Sequence, residues 1–379
     1  MKIWYITRSY FPTVTGGTII RKAQVESFIS HGFEVEVVTP DYSSLSFTSE
    51  VPAIRVPISK LQLKLGAWFE RIGIFEDYLD LWVKQSYLSL VSMVKADDIV
   101  FTTSGGELGC IKLGSLLQKT IGCKHVVNFH DPLDYSLVNG KIIDQHFHVS
   151  REYSEFKYLK NANLIITSSQ LNQFSLQNKY PTLASKIVNE YFGYVEGVEQ
   201  KSERQKEKLC IAYGGGFAEL QSPQILAQAG GPMQNVEFAF IGNWESYSPL
   251  EPYLATCRFV KPLPHKEYLK YMVEHVDVGF VSLTSDYLGA CVPSKIFEYI
   301  NLGMPILGAL PDGDGKNIIN DKGYGIAVDY GDIPALRDAI EVMKDPNKFE
   351  QFRSAVIRDR ADWALQCRIK KVVAWLQNI

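Results

Sequence analysis

The most constraining feature of this sequence is the alternation of short apolar segments with longer helical stretches along its whole length. The apolar segments are β-branched and flanked by turn residues, as buried parallel strands are. In the first half, strands are predicted at residues 2–6, 34–39, 98–102, 125–129, 163–167 and 186–191. In the second half, they are predicted at residues 208–213, 236–241, 257–260, 276–282, 305–310 and 325–328. Strands that alternate with helices form parallel sheets with helices on both faces, so the predicted fold class is α/β.

A charged segment near the middle divides the 379 residues into two parts. Residues 196–208 are rich in Glu, Lys, Gln and Arg and nearly free of large apolar side chains, which is typical of a linker. The length also exceeds that of one ordinary hydrophobic core. We therefore predict an N-terminal domain over 1–195, a linker over 196–208 and a C-terminal domain over 209–362. Two doubly wound, Rossmann-like domains are expected to face each other across a cleft at the carboxyl ends of their strands.

Composition and short motifs disfavour several functional classes. The net charge of −3 provides no general attraction to nucleic acid, so no nucleic-acid partner is expected. No apolar run approaches the roughly 18 residues of a membrane span, and the first strand starts too early for a signal peptide. The six cysteines are scattered, as expected for reduced thiols in the cytoplasm. A serine-hydrolase GxSxG motif and a P-loop lysine motif are both missing.

A helix with both ends marked in the sequence gives the strongest functional signal. Pro293 suits the first helical position, and Gly303 is a stop signal. Unpaired amides at Ser294 and Lys295, with the Lys295 ammonium, suit an anion. Glu298 lies one turn further along and can accept hydrogen bonds from two ribose hydroxyls. On these residues alone the helix is either a site for a sugar-linked diphosphate or a capped surface helix with solvated charges.

The same residues carry a resemblance to a known family. The pattern Pro-Ser-Lys-x-Phe-Glu-Tyr followed by Gly-x-Pro-Ile, at residues 293–306, closely resembles the donor-nucleotide helix of family 4 glycosyltransferases. The N-terminus resembles theirs in its first strand, Gly16-Gly17, helix and second strand, and His130-Asp131 after an apolar strand fits the same order. The resemblance covers most of the chain. It implies the GT-B fold, with two doubly wound domains facing each other across a cleft.

The resemblance also implies an activity. Members of this family transfer a sugar from a nucleotide diphosphate sugar with retention and generally without a metal. The expected reaction is transfer of a hexosyl or N-acetylhexosaminyl group, from a UDP-linked donor, to a glycan or lipid-linked acceptor in bacterial surface-polysaccharide synthesis, such as lipopolysaccharide or capsule. No cofactor is expected besides the donor substrate. A sugar-nucleotide epimerase or a catalytically degenerate scaffold on the same fold are the alternatives.

By the same resemblance, the site residues come from both domains. His130 and Asp131 are the expected catalytic residues. Gly16 and Gly17 are expected in the loop before the first long helix, where they either leave space for the diphosphate or the acceptor or simply form a turn. The last helix, 363–379, is expected to cross back onto the N-terminal domain. The residues expected to bind the donor nucleotide are Gly214, Gly215, Val260, Ser294, Lys295 and Glu298.

The run from Gly214 to Gly216 follows the first strand of the second half. Glycines there let backbone amides approach a phosphate closely, although a flexible turn is an equal alternative. Many family members carry an Arg near this loop and a Lys a few residues on, and residues 217–221 supply neither. Lys295 is then the main cation expected for the diphosphate. The loop 260–263 is expected to contact the base through its backbone.

The sequence departs from the family at Ala290. Family members carry two glutamates with seven residues between them; Glu298 matches the second, and Ala290 stands where the first would be. In the family, that first carboxylate lies against the transferred sugar. Its loss concerns the donor sugar rather than the nucleotide: either the donor is a deoxy or acetamido sugar, or Asp286 substitutes. A chain that has lost its activity is the third interpretation.

Two patterns that look like metal sites are discounted. His146 and His148 lie in a helical stretch, where residues two positions apart face different ways. Asp312 and Asp314, on either side of a glycine, are better explained by a turn after a strand. No metal site is therefore expected.

Residues 60–93 differ in character from the rest of the first half. Apolar and aromatic side chains are interleaved with Lys60, Lys64 and Arg71, and such a segment can lie on an anionic bilayer. Acidic side chains oppose this and favour a packed helical insertion: Glu70, Glu76, Asp77 and Asp80. Both interpretations stay open. The protein is expected in the cytoplasm, either free or peripheral on the inner face of the cell membrane.

Overall fold

The computed structural model describes residues 1–12, 15–42, 53–133, 137–138, 141–142, 149–198, 208–231 and 233–379. The chain divides into two compact units. The first comprises Met1–Val138, Ile142–Val195 and Arg368–Ile379, and the second is built on Glu196–Cys367. Most of the predicted linker lies outside the described residues.

The first part of the chain, to Asn189, alternates strands and helices. Its strands are β1 (Lys2–Ile6), β2 (Glu34–Asp41), β3 (Ala53–Pro57), β4 (Ile99–Gly105), β5 (Lys124–Asp131), β6 (Leu137–Val138), β7 (Lys141–Ile142), β8 (Leu164–Thr167) and β9 (Ile187–Asn189). Its helices are α1 (Gly16–Ser30), α2 (Lys60–Arg71), α3 (Asp80–Leu90), α4 (Gly109–Ile121), α5 (Val149–Leu159) and α6 (Gln170–Lys179). A parallel sheet runs in the order β3-β2-β1-β4-β5-β8-β9, and β6 pairs with β7 separately.

The second unit repeats this arrangement. Its strands are β10 (Leu209–Gly215), β11 (Val236–Gly242), β12 (Arg258–Val260), β13 (Val278–Ser282), β14 (Ile306–Leu310) and β15 (Gly325–Asp329). The helices that follow are α7 (Gln224–Gly230), α8 (His265–His275), α9 (Ser294–Asn301), α10 (Asp314–Asp321), α11 (Ile333–Lys344), α12 (Pro346–Asp359) and α13 (Leu365–Gln377). The sheet is parallel, in the order β12-β11-β10-β13-β14-β15.

The central strands are buried on both faces. In β1, Ile3 and Tyr5 point to one face, Trp4 and Ile6 point to the other, and none of the four is more than 2% exposed. The strand β10 is buried in the same way from Leu209 to Tyr213. Continuous apolar strands of this kind need helices on both faces of the sheet, which is why the sequence pattern alternates strand and helix.

Both sheets reverse their strand order at one position. The reversal lies between β1 and β4 in the first unit and between β10 and β13 in the second. In open α/β sheets, ligands bind outside the carboxyl ends of the strands at this switch point. The prediction of two doubly wound parallel-sheet units is confirmed.

The twelve strands predicted from the sequence are all present, and three others were not predicted. Among the described strands, β3 pairs only with β2, at the edge of its sheet. A proline precedes it and Pro57 ends it, so the segment looks like a loop; prolines are tolerated in strands mainly at sheet edges. The strands β6 and β7 have two residues each, which is too short for a recognisable pattern of apolar residues in the sequence.

The last helix, α13, joins the first unit from Arg368 onward. Arg368 and Lys371 both form ion pairs with the buried carboxylate of Glu190, at 2.9 and 3.0 Å. Just before α13, Trp363 donates a hydrogen bond from its indole nitrogen to the Tyr324 hydroxyl at 2.8 Å. Among the residues placed by the structure, no helix has the length and apolar character needed to cross a membrane.

Candidate functional site

The first strand of the second unit ends in two glycines that side chains of other elements pack against. Gly214 and Gly215 are the last residues of β10, beside the switch point. A Cβ atom at Gly214 would lie 2.5 Å from Cε2 of Tyr268, and one at Gly215 would lie 2.5 Å from Lys295 Nζ. Gly215 also has a φ of 132°, which L side chains rarely adopt. Glycine is therefore required here, and it lets Lys295 reach the end of the strand.

The helix α9 begins at the same edge of the sheet. Pro293 is the cap residue, with a ψ of 127°, and the helix starts at Ser294. The prediction that Pro293 is the first helical residue is wrong by one position, because its backbone stays extended. The first backbone bond runs from the Ile296 amide to the Pro293 carbonyl at 3.0 Å, so the Ser294 and Lys295 amides precede it. These are the amides that suit an anion.

The end of α9 agrees with the prediction. Gly303 has a φ of 68°, and the Met304 amide donates to the Tyr299 carbonyl at 3.0 Å. This is the left-handed termination that glycine favours. The predicted stop at Gly303 is confirmed.

Lys295 is a half-buried cation at the carboxyl edge of the second sheet, beside the end of β10. Its ammonium lies 5.2 Å from the ring centroid of Tyr213. Burial lowers the pKa of Lys295, and the negative charge of Glu298 partly opposes that shift. Within the described ranges, no carboxylate forms an ion pair with Lys295. A desolvated cation without an ion-pair partner favours the approach of an anion.

Glu298 is also half-buried and lies close to Lys295 on α9. Burial raises its pKa, while the charges of Lys295 and His265 lower it. His265 is the first residue of α8, and its ring lies parallel to that of Tyr268, with 6.5 Å between the ring centroids. The start of α8 therefore joins α9 and the end of β10 at one edge. This set of charges can hold a diphosphate beside a hydroxyl-bearing group.

Val260 lies at the same edge of the sheet but in another strand. It is the last residue of β12, and it pairs with Ile241 of β11. Parallel strands end on the same side, so Val260 lies two strands away from Gly215 along the carboxyl edge. Its contact with the base of a nucleotide stays a prediction.

Ala290 closes a short 3₁₀ turn, Asp286–Ala290, just before α9. Ala290 is half-buried and Asp286 is exposed. The backbone of Gly289 in this turn occupies the space where a Cβ of Gly313 would lie, so the turn packs against the start of α10. Position 290, where family members carry the first glutamate, therefore lies in a turn between the start of α9 and the start of α10.

Asp312 lies in the turn after β14, as predicted, whereas Asp314 is already the first residue of α10. Asp312 accepts a hydrogen bond from Lys316 at 2.7 Å, and Asp314 is buried in the first helical turn. Across the part of the chain that the structure describes, no group of three or more His, Cys, Asp and Glu could hold a metal ion. His146 and His148 lie outside the described residues.

In the first unit, His130 and Asp131 end the strand β5. His130 is buried, its ring centroid lies 4.3 Å from that of Phe192, and its carbonyl accepts a hydrogen bond from Ser168 at 2.6 Å. Its Nε2 has no hydrogen-bond partner among the described residues. Burial, together with the charges of two arginines, lowers the pKa of His130 well below its usual range. The imidazole is therefore neutral at pH 7 and can donate or accept a hydrogen bond.

Gly16 and Gly17 are not in the loop before α1, where the sequence prediction placed them. They are its first two residues, because Thr15 caps the helix. The Thr15 hydroxyl accepts from the Thr18 amide at 3.2 Å, and the Thr15 amide donates to the Thr18 hydroxyl at 2.8 Å. Because of this capping box, the helix starts earlier in the chain than predicted, at Gly16.

No model of a known protein family matches this sequence, and no curated protein sequence matches it. Solved structures do match over the full chain. Anabaena HepE in complex with UDP-glucose aligns with a TM-score of 0.74 at 13% identity, over 100% of both chains. Sucrose-phosphate synthase from Thermosynechococcus elongatus aligns with a TM-score of 0.73 at 15% identity, also over 100% of both chains. The lipopolysaccharide outer core galactosyltransferase WaaB aligns with a TM-score of 0.70 at 12% identity, over 100% of this chain and 99% of that one.

These structures have two parallel-sheet units in the GT-B arrangement, and this chain matches them from end to end. The chain has the GT-B fold. The fold that the sequence resemblance implied is therefore confirmed.

Within this GT-B chain, the structure brings together part of the predicted site. Gly214, Gly215, Ser294, Lys295 and Glu298 meet at one edge of the second unit. Val260 lies at the same carboxyl edge but two strands away, and the remaining predicted residues belong to the first unit: Gly16, Gly17, His130 and Asp131.

Four residues at these edges were not predicted. Tyr268 and His265 come from α8, and nothing in the sequence marks their side chains as part of the site. Arg8 and Arg21 lie at the carboxyl edge of the first sheet. Arg21 did leave a signal, because it interrupts a stretch of α1 that is otherwise apolar or uncharged on its buried side.

Proposed function

We propose that this chain is a glycosyltransferase that moves a sugar from a nucleotide diphosphate sugar to a glycan or lipid-linked acceptor. The main support is the arrangement at one edge of the second unit. There the desolvated Lys295 ammonium and the N-terminus of α9 lie beside Gly214 and Gly215, the glycines that end β10. The GT-B structures that align with the chain support the proposal, since HepE is described with UDP-glucose and WaaB is a galactosyltransferase.

The diphosphate would lie at the N-terminus of α9. The amides of Ser294 and Lys295 would donate to its oxygens, and the Lys295 ammonium would pair with its charge. When the sugar leaves, negative charge grows on the leaving phosphate. Groups fixed at that position stabilise the transition state more than the ground state, and this is what accelerates transfer.

Glu298 would hold the ribose of the nucleotide. An ionised carboxylate can accept hydrogen bonds from two adjacent hydroxyls. Burial raises the pKa of Glu298, and the neighbouring Lys295 and His265 counteract this and favour the ionised form. A UDP-linked donor is supported by HepE and by the trehalose-6-phosphate protein of E. coli that is described with UDP-2-fluoro glucose.

The sugar itself would lie near Ala290. A methyl group there offers no acceptor for sugar hydroxyls, which favours a deoxy or acetamido sugar, such as an N-acetylhexosaminyl group, over a plain hexose. Asp286 is exposed and belongs to the same turn, so it is the residue that could replace the missing carboxylate.

The reaction would proceed with retention and without a metal. We assign no catalytic base, because the leaving phosphate itself can take the proton of the acceptor hydroxyl. His130 and Asp131 are the catalytic residues proposed for the first unit. Turnover should persist in EDTA, and its complete loss, restored by Mg²⁺ or Mn²⁺, would contradict this part of the proposal.

The first unit carries a surface that supports a lipid-linked acceptor and a location at the inner face of the membrane. Four apolar side chains are exposed on one face of α2 and of the residue that caps it: Leu61 (66% exposed), Leu65 (40%), Trp68 (55%) and the cap residue Ile72 (48%). Lys60, Lys64 and Arg71 are exposed on the same helix. An apolar face with basic neighbours suits an anionic bilayer.

The acidic residues of this segment are turned inward. Glu70 and Asp77 are buried. Although burial opposes the shift, hydrogen bonds from Lys112, Lys157 and two hydroxyls lower the pKa of Glu76 to about 2. Asp80 pairs with Lys112 at 2.9 Å. The four carboxylates are therefore not presented to a lipid surface, and the basic residues are.

Sedimentation with vesicles tests this surface. The protein should sediment with phosphatidylglycerol vesicles and not with phosphatidylcholine vesicles. Trp68→Glu should abolish this binding. Phe174→Glu is the matched control, since Phe174 is a similarly exposed aromatic residue on α6, at 50%. Equal sedimentation of Trp68→Glu and the wild type would exclude α2 as the membrane surface.

Incubation with a panel of nucleotide sugars tests the activity itself. Slow release of free nucleoside diphosphate, accelerated by an acceptor extract, supports a transferase. Formation of a new nucleotide sugar would assign an epimerase instead. Binding without any turnover, with and without acceptor, would assign a degenerate scaffold.

A further inference from the structure

The first unit holds a buried arginine that the proposed donor site does not use. Arg21, on α1, is 4% exposed. Its Nη1 donates to the Ser9 hydroxyl at 2.7 Å, and its Nε is buried without a hydrogen-bond partner among the described residues. None of the carboxylates that the structure describes forms an ion pair with Arg21. A buried guanidinium without a counter-ion is unfavourable, so a ligand that neutralises it would bind well.

The position of Arg21 makes a bound anion more favourable still. Its Nη1 lies 3.5 Å from where a Cβ of Gly17 would be, so the guanidinium folds back to the N-terminus of α1. The helix dipole is positive there, and the first amides have no intrahelical partner. A protein cation placed at this end of a helix is repelled, whereas an anion is attracted by both the amides and the guanidinium.

A second arginine reaches the same place. Nη2 of Arg8 and Nη2 of Arg21 lie 3.4 and 3.5 Å from the Cβ position of Gly105. Gly105 ends β4, beside the switch point of the first sheet. The two guanidinium groups therefore converge on one point at the end of this strand, where glycine adds no side chain between them. In open α/β sheets this is the edge at which ligands bind.

Two carboxylates lie at the same edge, and neither of them forms an ion pair with Arg21. Glu107 is fully buried and pairs with Arg8 at 3.2 Å, and it also accepts from the Gly105 amide at 2.9 Å. Asp131 Oδ2 lies 3.6 Å from the Cβ position of Gly105, but it forms no ion pair with Arg21. Arg21 is thus the buried guanidinium at this edge that has no carboxylate within ion-pair distance among the described residues.

We propose that Arg21, Arg8 and the N-terminus of α1 bind an oxyanion, a phosphate or a carboxylate, carried by a substrate other than the nucleotide. If the chain is a glycosyltransferase as proposed above, on which this assignment rests, that substrate is the acceptor. The acceptor then carries a phosphate or an acidic sugar close to the hydroxyl that is glycosylated.

Calorimetric titration of the full chain tests the site without an activity assay. The protein is first saturated with UDP and then titrated with inorganic phosphate and, separately, with glucuronate, at constant ionic strength. At least one of them should bind at one site per chain, and the one that binds identifies the oxyanion. Arg21→Gln should weaken this binding at least tenfold, and Arg21→Lys should weaken it less.

Lys22→Gln is the matched control, because Lys22 is the next residue of α1 and pairs with Glu26 on the surface. It should bind the oxyanion like the wild type. Without any anion, Arg21→Gln should melt no lower than the wild type, because it removes an unpaired buried charge. A lower melting temperature would mark Arg21 as a structural residue and overturn the proposal.

Two further results would also overturn it. One is unchanged oxyanion binding by Arg21→Gln. The other is displacement of the bound oxyanion by UDP, because the anion at Arg21 would then be the diphosphate of the nucleotide. A wild type that binds no nucleotide would contradict the proposed function instead, and the oxyanion titration could still be read in that case.

Discussion

Replacement of Lys295 by alanine is the most informative single change. In the structure its ammonium packs on the end of β10 and lies 5.2 Å from the Tyr213 ring centroid, without an ion pair among the described residues. If it neutralises the diphosphate, Lys295→Ala removes one charge-assisted contact. If it is only a packed lysine, the variant loses no affinity for the nucleotide.

The expected size of the effect follows from the burial of Lys295. A hydrogen bond to a charged group contributes about 1.5–3 kcal/mol, which corresponds to a roughly 10- to 150-fold change in affinity. Burial lowers the pKa of this lysine, so part of its hydration is lost before the ligand arrives. An anion therefore displaces little water from it, and we expect the upper half of that range.

The stability of the free protein should change in the opposite sense. A desolvated charge without an ion-pair partner destabilises the folded state, so its removal should leave the melting temperature unchanged or raise it. A fall in affinity without a fall in stability separates a binding role from a structural one.

Calorimetry with UDP measures the affinity, and thermal unfolding measures the stability. Lys270→Ala is the control, because the Lys270 side chain is 74% exposed on α8 and pairs with Glu274 on the surface. Equal UDP affinity for Lys295→Ala and Lys270→Ala would refute the assignment of Lys295 to the diphosphate.

Four further predictions concern neighbouring residues and acid stability. Glu298→Gln should weaken UDP and UDP-sugar alike, by about tenfold or more; calorimetry checks this, and an effect limited to one sugar would contradict a ribose role. Gly215→Ala should cost about 1–3 kcal/mol of stability and also lower UDP affinity, since its φ is 132° and its Cβ would meet an ammonium. Gly216→Ala, which meets nothing within 4 Å, should change neither. Ala290→Glu should slow turnover of the native donor at a cost of roughly 1–3 kcal/mol; a gain in steady-state rate would favour a decayed enzyme. Burial lowers the pKa of His125 from 6.5 to about 3, so the unfolded state takes up the proton first and stability should fall by about 1.4 kcal/mol per unit as pH drops from 6.5 to 3; urea unfolding of His125→Gln should show a shallower decline.

The parallel strands could be predicted from the sequence because of how they are buried. A strand with helices on both faces is apolar throughout, as in Lys2–Ile6 and Val278–Ser282, and it leaves a signal that needs no tertiary information. Ala53–Pro57 left no such signal, because an edge strand pairs on one side only and tolerates proline.

The edge of the second unit that contains Gly215 and Lys295 could be predicted only in part. Gly215 belongs to a glycine run directly after a strand, and Lys295 belongs to a Pro-Ser-Lys helix start. Both patterns can be recognised in the sequence, and a parallel sheet places both at the same edge. His265 and Tyr268 lie on α8, whose approach to α9 is decided by packing between elements distant in sequence. The start of α1 was predicted too late for a local reason: Thr15 caps the helix, so Gly16 and Gly17 are inside it.

The first unit shows the limit of motif-based prediction. His130 and Asp131 were chosen for their place after an apolar strand, and the structure locates them at the end of β5. Their catalytic role stays a prediction. Arg8, in the loop after β1, and Arg21, on α1, converge on Gly105, and their meeting depends on the close packing of a loop, a helix and a glycine that no sequence spacing encodes.

A crystal structure of the full chain with UDP would show directly whether α9 binds the diphosphate. We expect the diphosphate at the N-terminus of α9, with its oxygens within hydrogen-bonding distance of Lys295 Nζ and the Ser294 amide, and we expect the ribose hydroxyls to contact Glu298. UDP bound away from Lys295, or with its diphosphate held by Arg8 and Arg21 in the first unit, would contradict this expectation.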